Sequence, residues 1–108
     1  MTKEAKQKRP KFYQALQEQQ PQYIEAVDNL GRAARAAGPL EDKTGHLIQL
    51  AACPTIHSEG GVHSHTRRAL EAGATPEEIR HALMLITSTI GFPSVVAALT
   101  WAEDVLAK

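Results

Sequence analysis

Apolar residues recur along this chain at helical spacing and nowhere alternate with polar ones, so the pattern predicts helices and no strand. Pro21 stands where a first helical residue belongs. Tyr23, Ile24, Val27, Leu30 and Ala34 follow as one stripe, and Gly38-Pro39 supplies the stop. A shorter amphipathic piece, Phe12 to Gln19, precedes it. The chain resumes at Asp42 with Leu47, Ile48, Leu50 and Ala51, until Pro54 removes a backbone donor. Its direction is therefore expected to change between Cys53 and His57.

Ser58 suits the N-cap of the next helix, which Gly73 ends. Thr75-Pro76-Glu77-Glu78 is the clearest boundary: a cap residue, proline at the first position, and a glutamate placed to close a capping box. The helix it opens carries Ile79, Ala82, Leu83, Ile86 and Ile90 on one side and Met84 and Leu85 on the other. The last helix, starting near Pro93, has Val95, Ala98, Leu99, Ala102 and Leu106 on one side. Val96, Trp101 and Val105 spread around the rest. A helix apolar on most sides is buried on most sides, which in so small a chain predicts self-association. The expectation is an all-α fold of five to six helices in one domain over 1–108, with residues 1–10 as a flexible arm.

Composition narrows the partners. Lysine plus arginine number 12 and aspartate plus glutamate 12, so the formal charge of +0 gives no support to a nucleic-acid or membrane-surface partner. Lys3, Lys6, Lys8, Arg9 and Lys11 near the N-terminus lack the aromatic interleaving of a nucleic-acid arm and read as a solvated terminus. Behind them lies no apolar segment of a signal peptide, and no later run is long enough to span a bilayer. The single cysteine, Cys53, forms neither an intramolecular disulfide nor a CxxC pair, which fits a reducing compartment. The cytoplasm is the expected location.

Candidate chemistry concentrates in residues 58–73, where a glycine pair and two histidines open a helix. A helix N-terminus offers unpaired N–H groups and partial positive charge, so Ser58, Gly60 and Gly61 are candidates to hold a carboxylate. His63 and His65 are candidates to move a proton near neutral pH. At about 100° per residue, His65 lies about 60° from the centre of the stripe made by Val62, Ala69 and Gly73, and His63 about 90° away on the opposite shoulder. They do not point together. Upstream, His46 and Cys53 return to nearly the same direction on their helix, with His57 beyond them. If that groove meets the glycine-pair helix, His46 and His65 face a common pocket and can divide acid and base roles. Arg68, the basic residue nearest His65 in direction, is a candidate carboxylate ligand.

Other readings stand beside this one. The histidines at 46, 57, 63 and 65 invite a metal, yet they lack the i, i+4 pair of a helical metal site such as HExxH, so no metal or cofactor is expected. His81 falls on the far side of its helix from Ile79 and Ile86. Cys53, between Ala52 and Pro54, reads as a small core residue rather than a nucleophile. Boundary histidines bonded to backbone or solvent remain the plain alternative.

The run His65-Thr-Arg-Arg-Ala69-Leu-Glu-Ala-Gly73-Ala-Thr-Pro-Glu-Glu-Ile79 resembles the carboxymuconolactone decarboxylase and alkyl hydroperoxidase D-like family. The resemblance continues through Leu40–Ala51 upstream and Gly91-Phe-Pro-Ser downstream, about two-thirds of the chain. It implies an all-helical fold associating into trimers, hexamers or similar rings, with sites lined by the motif helix near subunit contacts. The peroxidase branch carries Glu, then CxxC, then His. Matched onto this chain those positions are His46, Ser58, Gly61 and His65, and only the His is kept. Without the sulfur pair no thiol-peroxidase cycle transfers. The decarboxylase branch, which uses polar and imidazole groups without a cofactor, is the nearer chemistry. The expected function is therefore cofactor-independent acid–base chemistry, decarboxylation or a related lyase reaction, on a small carboxylate or lactone. The alternative is a non-catalytic ligand-binding or regulatory oligomer of the same fold.

Overall fold

The computed structural model describes residues 10–108. All regular structure among them is helical: α1 (Lys11–Gln19), α2 (Pro21–Ala36), α3 (Asp42–Ala52), α4 (Glu59–Glu71), α5 (Pro76–Leu85), the single turn α6 (Thr87–Ile90) and α7 (Phe92–Leu106). A 3-10 turn, Cys53–Ile56, links α3 to α4. The arm expected at residues 1–10 lies, up to Arg9, outside the described residues. The helices fall into two units, one ending at Pro39 and one running from Leu40 to Lys108.

In the first unit, Gln20 breaks the helix between α1 and α2 with φ −132° and ψ 65°, and Pro21 restarts it at the first position. Tyr13 Oη donates to Asp28 Oδ1 at 2.9 Å and ties the two helices together. Ile24 is the buried member of the α2 stripe, while Tyr23 and Leu30 are exposed.

The second unit has a core of Leu50 from α3, Val62 and Ala69 from α4, Ile79 and Leu83 from α5, and Ala98 and Ala102 from α7. Each is fully enclosed. The alanines let α4 and α7 approach closely, because a methyl group fills the seam where a longer side chain would push the backbones apart. On α4 the buried positions Val62, Thr66 and Ala69 fall at helical spacing.

Local signals set the boundaries. Pro54 lies in the 3-10 turn, after which His57 takes a left-handed conformation with φ 56°. The Ser58 N–H then returns to the Cys53 carbonyl at 3.0 Å, reversing the chain into α4. Gly73 carries φ 99° past the end of α4, a conformation that costs a residue without a Cβ little. At α5 the capping box is complete: Thr75 Oγ1 accepts the Glu78 N–H at 3.1 Å and Glu78 Oε1 accepts the Thr75 N–H at 2.9 Å.

One boundary differs from the sequence reading. The stripe from Ile79 through Ile86 to Ile90 reads as one helix, but α5 ends at Leu85 and α6 begins at Thr87. Ile86 leaves helical geometry at φ −91°, ψ 7°, and Thr87 Oγ1 donates to the Met84 carbonyl at 2.7 Å. A hydroxyl that bonds the preceding turn competes with the backbone ladder, and apolar periodicity does not register it. Ion pairs brace the outside: Lys43 to Glu78 at 3.2 Å joins α3 to α5, and Arg80 to Glu103 at 2.6 Å joins α5 to α7.

Candidate functional site

His46 sits in the second turn of α3 and is buried, at 7% exposure. His65 occupies the second turn of α4 and is half-buried. The packing of α3 on α4 brings their Nδ1 atoms to 3.5 Å, with ring centroids 5.7 Å apart and planes tilted by 36°. Two imidazole nitrogens facing each other in this way make a hydrogen bond only when one carries a proton and the other presents its lone pair. The gap therefore accommodates one proton. The meeting of His46 and His65 is the juxtaposition that helical spacing makes conditional on packing.

His63 goes elsewhere. Its Nε2 lies 3.1 Å from Asp104 Oδ2 on α7 and 4.0 Å from Glu59 Oε2, one turn earlier on α4. The divergence of His63 from His65 follows from their two-residue separation, about 200° around the helix. His57 is exposed at the turn and His81 is exposed on α5.

At the start of α4 the neighbouring glycines differ. A Cβ on Gly60 would meet nothing within 4 Å, whereas one on Gly61 would lie 2.6 Å from Cys53 Sγ and 2.7 Å from Ser58 Oγ. The Gly61 N–H is also taken, donating to Ser58 Oγ at 3.0 Å as the helix cap. Gly61 is thus required by packing, and the open space expected at the glycine pair belongs to Gly60. Arg68, three residues beyond His65, is half-buried on α4.

Cys53 comes from the 3-10 turn, and its thiol donates to the Gln49 carbonyl at 3.2 Å. Burial pushes its pKa up, so the thiol is held in its protonated, unreactive form. The sulfur nonetheless reaches the space that a side chain at position 61 would fill, a proximity that sequence distance does not reveal. Thr66 Oγ1 is fully enclosed and finds no hydrogen-bond partner among the described residues. A buried hydroxyl left this way is destabilising.

Two side chains at His63, those of Glu59 and Asp104, carry no signal in the hydrophobic pattern. Glu59 and His63 stand at i, i+4, a spacing visible once α4 is placed. Asp104 is 41 residues away and joins them only through the packing of α4 on α7.

The molecule is an all-helical protein whose described side chains include a paired imidazole at the contact of two core helices. The carboxymuconolactone decarboxylase family model matches residues 21–104, and the chain belongs to that family. An uncharacterized protein of Methanocaldococcus jannaschii is 32% identical over 78 residues, which cover 72% of this chain and 73% of that protein. No solved structure gives a significant match.

Proposed function

We propose that this chain is a cofactor-independent acid–base enzyme of the decarboxylase type, acting on a small carboxylate or lactone. The observation that carries the reading is the His46–His65 pair, with Nδ1 atoms 3.5 Å apart and one ring buried. In a decarboxylation the bond to the carboxyl carbon breaks, its electron pair stays on the substrate and carbon dioxide leaves. The developing carbanion or enolate then takes a proton. An imidazolium stabilises that charge and supplies the proton, and the second imidazole passes on a replacement. Gly60 at the open start of α4, Ser58 beside it and Arg68 further along the helix would hold the substrate carboxylate. His63 would act with this pair only through movement of the α4 first turn, since it faces Asp104.

His65→Ala is expected to lower kcat by about 10²–10⁴-fold in a screen of small carboxylates and lactones read by carbon dioxide release or lactone loss. A substituted protein that binds its ligand less tightly, in a family member that never turns it over, would instead establish the non-catalytic reading. That second reading is favoured by the loss of the family's Glu and cysteine pair at His46, Ser58 and Gly61.

Assembly into a trimer or hexamer belongs to the same proposal. It is supported by the exposed apolar side chains Met84, Leu85, Phe92 and Val96. A cytoplasmic setting is supported by the lone reduced Cys53. Among the described residues no helix is long and apolar enough to cross a membrane.

A further inference from the structure

We infer that Glu59, His63 and Asp104 form a binding site for a divalent transition-metal ion, separate from the His46–His65 pair. One ligand atom from each lies within 4.8 Å of the others. Zinc binds imidazole nitrogen and carboxylate oxygen at about 2.0–2.2 Å, which places two ligands of a tetrahedral ion roughly 3.3 Å apart. His63 Nε2 and Asp104 Oδ2 stand at 3.1 Å, and His63 Nε2 and Glu59 Oε2 at 4.0 Å. Glu59 is the outlying donor, on a side chain that is 57% exposed.

The donor set selects the ion. Two carboxylates and a neutral imidazole balance a dication, and the imidazole favours zinc, nickel, cobalt or iron over calcium or magnesium. Glu59 and His63 are one helical turn apart and so chelate from one face of α4, while Asp104 arrives from α7. These are donors from two elements joined only by tertiary packing, unlike a run of acids along one surface helix. The exposed side of the cluster leaves water to complete the coordination. The four histidines at 46, 57, 63 and 65, from which no metal is expected by spacing, do not share this site: His63 faces Asp104, away from the His46–His65 pair. A metal here would clamp the start of α4 to α7 and stabilise the fold by binding only its native form.

The test titrates untagged, metal-stripped full-length protein with zinc by calorimetry, and with cobalt by its visible absorption. Parallel thermal unfolding is run with and without zinc. The expected result is one ion per chain and a rise in Tm with zinc. Asp104→Asn and His63→Ala should each weaken binding by more than the roughly tenfold cost of losing an outer-shell partner. Both should also erase the Tm rise. Asp104→Asn preserves side-chain size, so its circular dichroism and metal-free Tm separate a lost ligand from a lost fold. His65→Gln should bind zinc as the unmodified protein does. Absence of zinc binding, binding that survives Asp104→Asn and His63→Ala, or binding that His65→Gln abolishes would each overturn the assignment. The first outcome would leave His63, Glu59 and Asp104 as an ion-pair cluster only.

Discussion

Gly60 and Gly61 stand side by side in the first turn of α4 yet answer to different constraints. Replacing Gly60 by alanine adds a methyl group in open space and improves helix propensity, so a gain of about 0.5–1 kcal/mol is expected. Gly61→Ala crowds both the Cys53 sulfur and the capping Ser58 hydroxyl, and a loss of about 1–3 kcal/mol is expected. Urea unfolding of the two variants measures the contrast, and equal effects would contradict the packing role of Gly61. The same residues show how much of the site the sequence held. Helical spacing separated His63 from His65, but it left the meeting of His46 with His65 conditional on how their helices pack. It did not find Asp104, nor the Cys53–Gly61 contact, because both depend on side chains brought together across elements.

Helix ends in this chain were legible wherever a single residue type creates them. Pro21, the Ser58 cap and the Thr75–Glu78 box act within one turn of backbone, so local chemistry is sufficient to place them. The break at Ile86 was not, because an unbroken apolar stripe runs across it while the backbone there leaves helical geometry. The α5 box also gives a pH signature. The Thr75 N–H, and after it Lys43, hold the Glu78 carboxyl below its ordinary pKa of 4.5. A carboxylate whose folded-state pKa is depressed contributes stability that is present above the unfolded value and lost as pH falls through the folded one. Unfolding midpoints should therefore fall with pH below about 4.5, with a shallower fall in Glu78→Ala. Thr75→Ala should cost about 1 kcal/mol at neutral pH, read from the urea midpoint. A midpoint unchanged by Thr75→Ala would remove the cap from the account of α5.

At the scale of the whole molecule, the wide apolar faces of α5 and α7 leave side chains that their own unit does not cover. Leu85 is 64% exposed and Phe92 65%, alongside Met84 and Val96. Isolated apolar side chains are ordinary on a surface, but this concentration over one short stretch of chain is expected to be covered by a second copy. Light scattering after size exclusion should give a trimer or hexamer, and Phe92→Glu with Leu85→Glu should shift it to monomer without loss of helical circular dichroism. A monomer at every concentration would remove self-association from the proposal. All-α architecture and this exposed surface could be read from periodicity, since both follow from the width of the apolar stripe. How a second copy would match that surface is a matter of shape and lies beyond pattern.

The closeness of the Cys53 sulfur to the backbone of Gly61 also governs what chemistry this scaffold can be given. Installing the thiol pair of the peroxidase branch by Ser58→Cys and Gly61→Cys would replace the hydroxyl that caps α4 and drive a new Cβ to 2.6 Å from an existing sulfur. Shrinking Cys53 has to come first, and the cap has to be supplied by another group. The route to redox activity is thus order-dependent: the resident thiol stands in the way of the thiols that would do the work.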